Sequence, residues 1–174
     1  EKFLARVRVV CGDLGLARLG MNDKDWARLC RECDAVVHNG AQVNYVHSYE
    51  ALRPYNVGGT RELLTLAATA RKKPFHHISS TFIHGWSARP IAAEHEFNEQ
   101  LEELDFGYSQ TKCIQEHMVL NAARHGQPVR IYRPTLITAS ARGVGSKEDI
   151  GVRLLAFMIK YGISVEALNQ ISFL

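Results

Sequence analysis

Several things this chain lacks narrow what it can be. The net charge is only +3 over 174 residues, with 21 Lys+Arg against 18 Asp+Glu. These cations and the eight His are scattered, and no basic run alternates with aromatics, so no nucleic-acid partner is expected. No apolar stretch approaches the ~18 residues of a membrane span, and the first residues form no signal-peptide apolar region. The expectation is a soluble, cytoplasmic protein with no membrane partner. Cysteine is sparse: Cys30 and Cys33 form a C-x-x-C pair, Cys11 and Cys113 stand apart, and no second pair has zinc-ligand spacing. Trp26, Cys30 and Cys33 fall at i, i+4 and i+7 of an amphipathic helix, which predicts buried reduced thiols and no metal. His76 and His77 are strand neighbours aimed at opposite faces, so they cannot converge on one ion. The one basic cluster, Arg71-Lys72-Lys73, reads as a helix end whose charge complements the helix dipole before Pro74.

What is present is an alternation. The chain is 46% hydrophobic, enough for one packed domain, and short apolar runs alternate with helical patterns, which predicts βαβ units and a parallel sheet. Strands are expected at residues 7–11, 35–38, 75–78 and 129–132. Helices are expected from Asn22 as N-cap, over 48–70, over 108–125, and over 149–161. Pro54 and Gly58-Gly59 weaken the second helix, so a kink or a close packing contact is expected there. A polar, acidic loop occupies 88–106, and Arg142-Gly143-Val144-Gly145-Ser146 reads as mobile. Ligands of such sheets bind at the C-terminal ends of the strands. Asp13, Asn39-Gly40-Ala41, Ser80 and Pro134-Thr135 each follow an expected strand, so small and polar residues converge on one edge.

Tyr108 and Lys112 lie four residues apart on the helix that follows, on one face and one turn apart. A fixed ammonium beside a phenol favours the phenolate, which predicts a Tyr108 pKa below the free value of ~10 and proton transfer coupled to a redox step.

These stretches together resemble the extended short-chain dehydrogenase/reductase family. The likeness is strongest to the thioester reductase (terminal reductase) domains of non-ribosomal peptide and polyketide synthetases and to the related carboxylic acid and aminoadipate reductases. The matching runs are Val10-Cys11-Gly12-Asp13-Leu14, His38-Asn39-Gly40-Ala41-Gln42-Val43-Asn44, Tyr49 through Thr60, Ile78-Ser79-Ser80-Thr81, Gly107 through Lys112, and Tyr132-Arg133-Pro134-Thr135. The resemblance implies a Rossmann-like, doubly wound parallel α/β sheet and NADPH as cofactor, with NADH also compatible. It implies that Tyr108 is the catalytic acid/base, that Lys112 lowers its pKa and binds nicotinamide ribose hydroxyls, and that Ser80 hydrogen-bonds the reacting carbonyl. It places Asp13 and Leu14 at adenine, Asn39, Gly40 and Ala41 at a close backbone approach to the cofactor, Asn56 in the active-site architecture, and Pro134 and Thr135 beside nicotinamide. The implied reaction is reductive release of a carrier-bound acyl or peptidyl thioester as an aldehyde, with further reduction to an alcohol left open. The implied partner is a phosphopantetheinyl carrier protein, with Arg142, Lys147 and Arg153 either docking it or forming an ordinary solvated face. A sugar-nucleotide epimerase, a fatty acyl reductase and a non-catalytic Rossmann-like module are the competing readings.

One departure from the pattern is large. No Gly-rich phosphate turn and no ribose-reading residue are present, since Gly12-Asp13-Leu14-Gly15 and Gly143-Val144-Gly145 have the wrong spacing and position. The sheet is therefore expected to be incomplete, without its first two strand-helix units and without the C-terminal substrate domain. Residues 1–174 read as a partial NAD(P)-binding domain, with 162–174 as the start of a truncated substrate region. A piece of this kind is expected to be inactive alone and to aggregate through exposed apolar edges.

Overall fold

The computed structural model describes residues 4–85, 93–98, 101, 104–137 and 149–163. The chain forms two compact units, Glu1–Tyr132 and Arg133–Leu174. In the first, a three-stranded sheet runs in the order β1 (Val36–His38), β2 (Phe75–Ile78), β3 (Val129–Tyr132), all parallel. The connecting helices are α1 (Asp23–Glu32), α2 (Tyr49–Arg53), α3 (Gly59–Ala68) and α4 (Gly107–Arg124). The second unit contains α5 (Ile150–Tyr161), capped by Asp149, whose carboxylate accepts from Val152 N at 3.0 Å.

The helix starts follow from local chemistry. Asn22 accepts from Asp25 N at 2.9 Å, and Ser48 from Ala51 N at 3.4 Å, each satisfying one of the orphan amides of a first turn. Pro54 brings no amide hydrogen, and α2 passes into a π-helical turn, Pro54–Gly58, before α3 resumes. Gly59 then meets Leu14 so closely that a Cβ would lie 2.8 Å from its Cδ2, which is the packing contact expected for the glycine pair.

The apolar core joins Trp26 and Cys30 of α1, Val36 of β1, Leu66 and Ala67 of α3, Phe75 of β2 and Val119 of α4, with Leu19 from the preceding loop. Each large side chain removed from water there contributes about 1.5–3 kcal/mol. Cys30 is buried as expected, but Cys33 is only half-buried because it lies at the C-cap, beyond the last helical residue.

One expectation is corrected. Residues 7–11 form no strand. The segment has β propensity, but propensity makes a strand only when a neighbour completes the ladder, and the described sheet begins at β1. Val9 is consequently 83% exposed. The basic cluster closes a helix end as expected, with one member buried. Lys73 is fully buried, and its ammonium donates to Leu66 O, Thr69 O and Arg71 O at 3.2, 2.7 and 3.1 Å, closing the carbonyl end of α3. Arg71 pairs with Asp34, and Lys72 donates to His125 O at 2.9 Å.

Within the first unit the sheet is dressed unevenly. Val36, His38, Phe75 and His77 point into the helical layer and are buried, whereas Val37 is 68% and Tyr132 41% exposed on the opposite face. Parallel sheets are ordinarily covered on both faces. The isolated 174-residue chain should therefore self-associate through this open face and bind hydrophobic dyes. Light scattering and dye fluorescence test this, and a monodisperse monomer with a cooperative unfolding transition would contradict it.

Candidate active site

Along the covered face of the sheet, composition changes with strand direction. Val36 and Phe75, adjacent in register, belong to the apolar core; two residues on, His38 and His77 stand side by side, ring centroids 5.4 Å apart. At this end the covered face is thus polar, although both imidazoles are buried. His38 bonds Thr60 Oγ1 at 2.8 Å, while His76, on the other face, pairs with Tyr132 Oη at 2.9 Å.

Asn56, fully buried in the π-helical turn, ties this edge to α4. Its Oδ1 accepts from Gln42 N at 2.7 Å, and its Nδ2 donates to Gln42 O at 3.2 Å and to Thr111 Oγ1 at 3.0 Å. Thr111 in turn donates to Tyr108 O at 2.7 Å. The loop after β1 is thereby linked, through two side chains, to the first turn of α4.

That first turn approaches another segment very closely. A Cβ on Gly107 would lie 2.5 Å from Tyr49 N and 2.7 Å from His47 O, so only glycine lets α4 begin against the chain at 47–49. Tyr108 follows, buried, its ring 5.6 Å from that of Tyr45. Tyr45 also touches Phe82 at 5.7 Å and Phe106 at 5.8 Å. Phe82 belongs to the short 3-10 turn Thr81–His84, which Ser80 caps by accepting from Phe82 N at 3.2 Å. Tyr108 and Phe82, the latter in the turn that Ser80 caps, therefore belong to one aromatic cluster centred on Tyr45.

Lys112 is also buried, and its Nζ donates to Ile78 O, the last carbonyl of β2, at 2.7 Å. This corrects the expected electrostatics of the pair. Burial, reinforced by Tyr45, pushes the Tyr108 phenol up to about 12, so Tyr108 remains protonated. Burial lowers Lys112 to about 8, and Glu116 opposes that shift. Burial again, with the Lys112 charge second, lowers His38 to about 4 and His77 to about 2, so both imidazoles are neutral.

The remaining expected residues divide into two groups. Leu14 packs between Gly40 and Gly59, whose Cβ positions would fall 3.1 and 2.8 Å from it. Asp13 is exposed and its carboxylate accepts from Gly15 N at 2.8 Å; Asn39 is exposed and Ala41 half-buried. Pro134 and Thr135 belong to the second unit, where both are half-buried. A cavity of about 240 Å³ beside Leu14 is bordered by Arg53, Val57, Arg61 and Met118, and not by Ser80, Tyr108 or Lys112. Arg153 is exposed on α5, whereas Arg142, Lys147 and the glycines between them lie outside the described residues. The described residues contain no cluster of His, Cys, Asp or Glu suited to a metal, and no described helix is long and apolar enough to cross a membrane.

A nicotinamide dinucleotide fits the donor set. Lys112 has three ammonium hydrogens and Ile78 takes one, leaving donors for ribose hydroxyls, and the exposed Asp13 carboxylate retains acceptor capacity for an adenine amine. Tyr45, Thr60 and Gln115 join the polar edge without having been singled out in the sequence. Only His38 gave a local signal, as a polar residue in phase with core Val36.

As pH rises through about 8, Lys112 should lose its charge while Tyr108 keeps its proton. A carbon-13 NMR titration of lysine Cε should show this midpoint and lose it in Lys112→Met. A midpoint at the ordinary 10.5 would refute burial as the controlling factor.

Comparisons with known proteins agree with this architecture. The chain is 37% identical over 161 residues to part of the linear gramicidin synthase of Brevibacillus parabrevis, covering 90% of this chain and 3% of that protein. It is 31% identical over 186 residues to the large chain of the L-2-aminoadipate reductase of Penicillium chrysogenum, covering 99% of this chain and 13% of that protein. The crystal structure of the terminal R domain from the myxalamid PKS-NRPS biosynthetic pathway superposes with a TM-score of 0.90 at 37% identity, over 94% of this chain and 42% of that one. The chain thus spans a small part of these curated relatives and under half of the solved domain. Residues 1–173 match the NAD_binding_4 family, described as male sterility protein, and with its parallel sheet and Rossmann-like neighbours the chain belongs to that family.

Proposed function

We propose that this chain contributes the acid/base half of an NADPH-dependent thioester reductase that releases a carrier-bound acyl or peptidyl group as an aldehyde. The observation that carries the reading is the buried pair Tyr108 and Lys112, one helical turn apart on α4, with the Lys112 ammonium bonded to the last carbonyl of β2. Similarity to a linear gramicidin synthase and to an aminoadipate reductase supports the substrate class. The expected partner is a phosphopantetheinyl carrier, and the expected compartment is the cytoplasm.

When bound, a reduced nicotinamide would supply a hydride for the thioester carbonyl carbon; the resulting hemithioacetal would lose its C–S bond to give aldehyde and carrier thiol, the hydroxyl proton passing to the departing sulfur. In this reading Ser80 and Tyr108 hydrogen-bond the carbonyl oxygen as it gains negative charge. Tyr108 then transfers its phenolic proton to that oxygen. Burial keeps the phenol protonated until the carbonyl oxygen gains charge, and the Lys112 ammonium then favours release of the proton by stabilising the phenolate. Lys112 binds ribose hydroxyls through the hydrogens Ile78 O does not take, and its positive charge stabilises the phenolate left on Tyr108. The same reading fits Asp13 and Leu14 to adenine, Asn39, Gly40 and Ala41 to the cofactor's close approach, and Pro134 and Thr135 to the nicotinamide side.

The test is NADPH oxidation by the full-length protein carrying this chain, with a carrier-bound thioester as substrate. Tyr108→Phe should lower kcat by about a hundredfold or more, and Ser80→Ala by about tenfold to a hundredfold. Wild-type rates in Tyr108→Phe would remove Tyr108 from the mechanism.

A further inference from the structure

The stripe of α4 that bears Tyr108 and Lys112 continues. Tyr108, Thr111, Lys112 and Gln115 stand at i, i+3, i+4 and i+7, so they share one face, and all four are buried. Gln115 is fully buried, and its Nε2 donates twice, to Asn56 O at 2.9 Å and to Thr60 Oγ1 at 2.7 Å. Thr60 gives its own hydrogen to Asn56 O at 2.8 Å, and its remaining lone pairs accept from Gln115 and from His38 Nε2. A hydroxyl has one hydrogen, so the His38 bond can form only if Nε2 carries the proton. The network thus fixes the His38 tautomer as well as its ring position.

We propose that Gln115 is a positioning residue for the reduction: through Asn56 O and Thr60 Oγ1 it locks α4 against the π-helical turn and β1, holding Tyr108 and Lys112 at the sheet edge. The inference rests on the thioester reductase reading. A leucine or methionine would fill this buried site without a polar group to satisfy, and polar networks of this kind act by fixing one geometry. Gln115 is one turn beyond Lys112 and two beyond Tyr108, so a shift at Gln115 is transmitted along a rigid helix. A displacement of about 1 Å at reacting groups costs up to about a hundredfold in rate.

The test uses the full-length protein and three variants. Gln115→Met keeps volume and removes both donors; Gln115→Glu keeps shape and donates only while its carboxyl is protonated; Thr60→Val deletes the hydroxyl by a second route. The titratable groups around the network are His38 on β1, His77 on β2, and Lys112 and Glu116 on α4. The two imidazoles titrate well below neutrality and Lys112 near 8. Between about pH 5 and pH 7 the introduced carboxyl, raised by burial, is the principal group to change charge. Gln115→Met should lower kcat by about tenfold or more at every pH, with KM for NADPH changed less. Gln115→Glu should approach wild-type kcat at the acid end and fall with rising pH, a pH profile that packing alone would not produce. Thr60→Val should lower kcat as Gln115→Met does, and Thr60→Ser should restore it. Wild-type kcat in Gln115→Met and Thr60→Val, or a pH-independent Gln115→Glu, overturns the proposal. A wild type with no thioester reduction overturns the function reading and this inference together; an active wild type with indifferent variants overturns the inference alone.

Discussion

The side-chain amide of Asn56 is the constraint on which the rest of the molecule turns. Its three hydrogen bonds reach the loop after β1 and the start of α4, and its own carbonyl receives Thr60 and Gln115. It can do this because the π-helical turn around it departs from the regular helical repeat and presents both its side chain and its carbonyl to the sheet edge. Pro54 contributes by bringing no amide hydrogen to the helix ladder. Leaving such a fully buried amide unpaired would cost about 1–3 kcal/mol per orphaned group, so the geometry is strongly specified.

With α4 fixed in this way, the electrostatics follow from burial more than from charge. Lys112 is a cation enclosed by a backbone carbonyl, two imidazoles held neutral, and Glu116. Its charge reinforces the neutrality of the histidines, and their neutrality avoids adding like charges beside it. Tyr108, shielded by Tyr45, keeps its proton in the same enclosure. The edge therefore holds one protonated phenol and one buried cation, the pair on which the proposed reaction draws.

Much of this was legible in the residues. The strands at 75–78 and 129–132 stand where Pro74, Ser79, Pro128 and Arg133 bound short apolar runs, and Asn22, Ser48 and Asp149 mark helix starts by chemistry that acts within three residues. Residues 7–11 misled because side-chain pattern records propensity and not the presence of a partner. The direction of the Tyr108 shift misled for a related reason: spacing places a cation near a phenol in sequence, but it does not show that both leave water, and desolvation is the largest cause of each shift. His38, Thr60 and Gln115 meet across separations of 22 and 55 residues, where no local pattern reaches.

Ser80 shows why a structural role and a chemical one need not compete. At a strand end, serine is a good cap, and here it accepts from Phe82 N. That bond uses a lone pair of Oγ and leaves the hydroxyl hydrogen uncommitted, so capping fixes where the oxygen sits without consuming the donor that the proposed reaction needs. The cap also sets Phe82 against Tyr45, and Tyr45 against Tyr108. The same hydrogen bond that starts the turn after β2 therefore orders the aromatic wall around the proposed acid, and the two readings of Ser80 describe one arrangement.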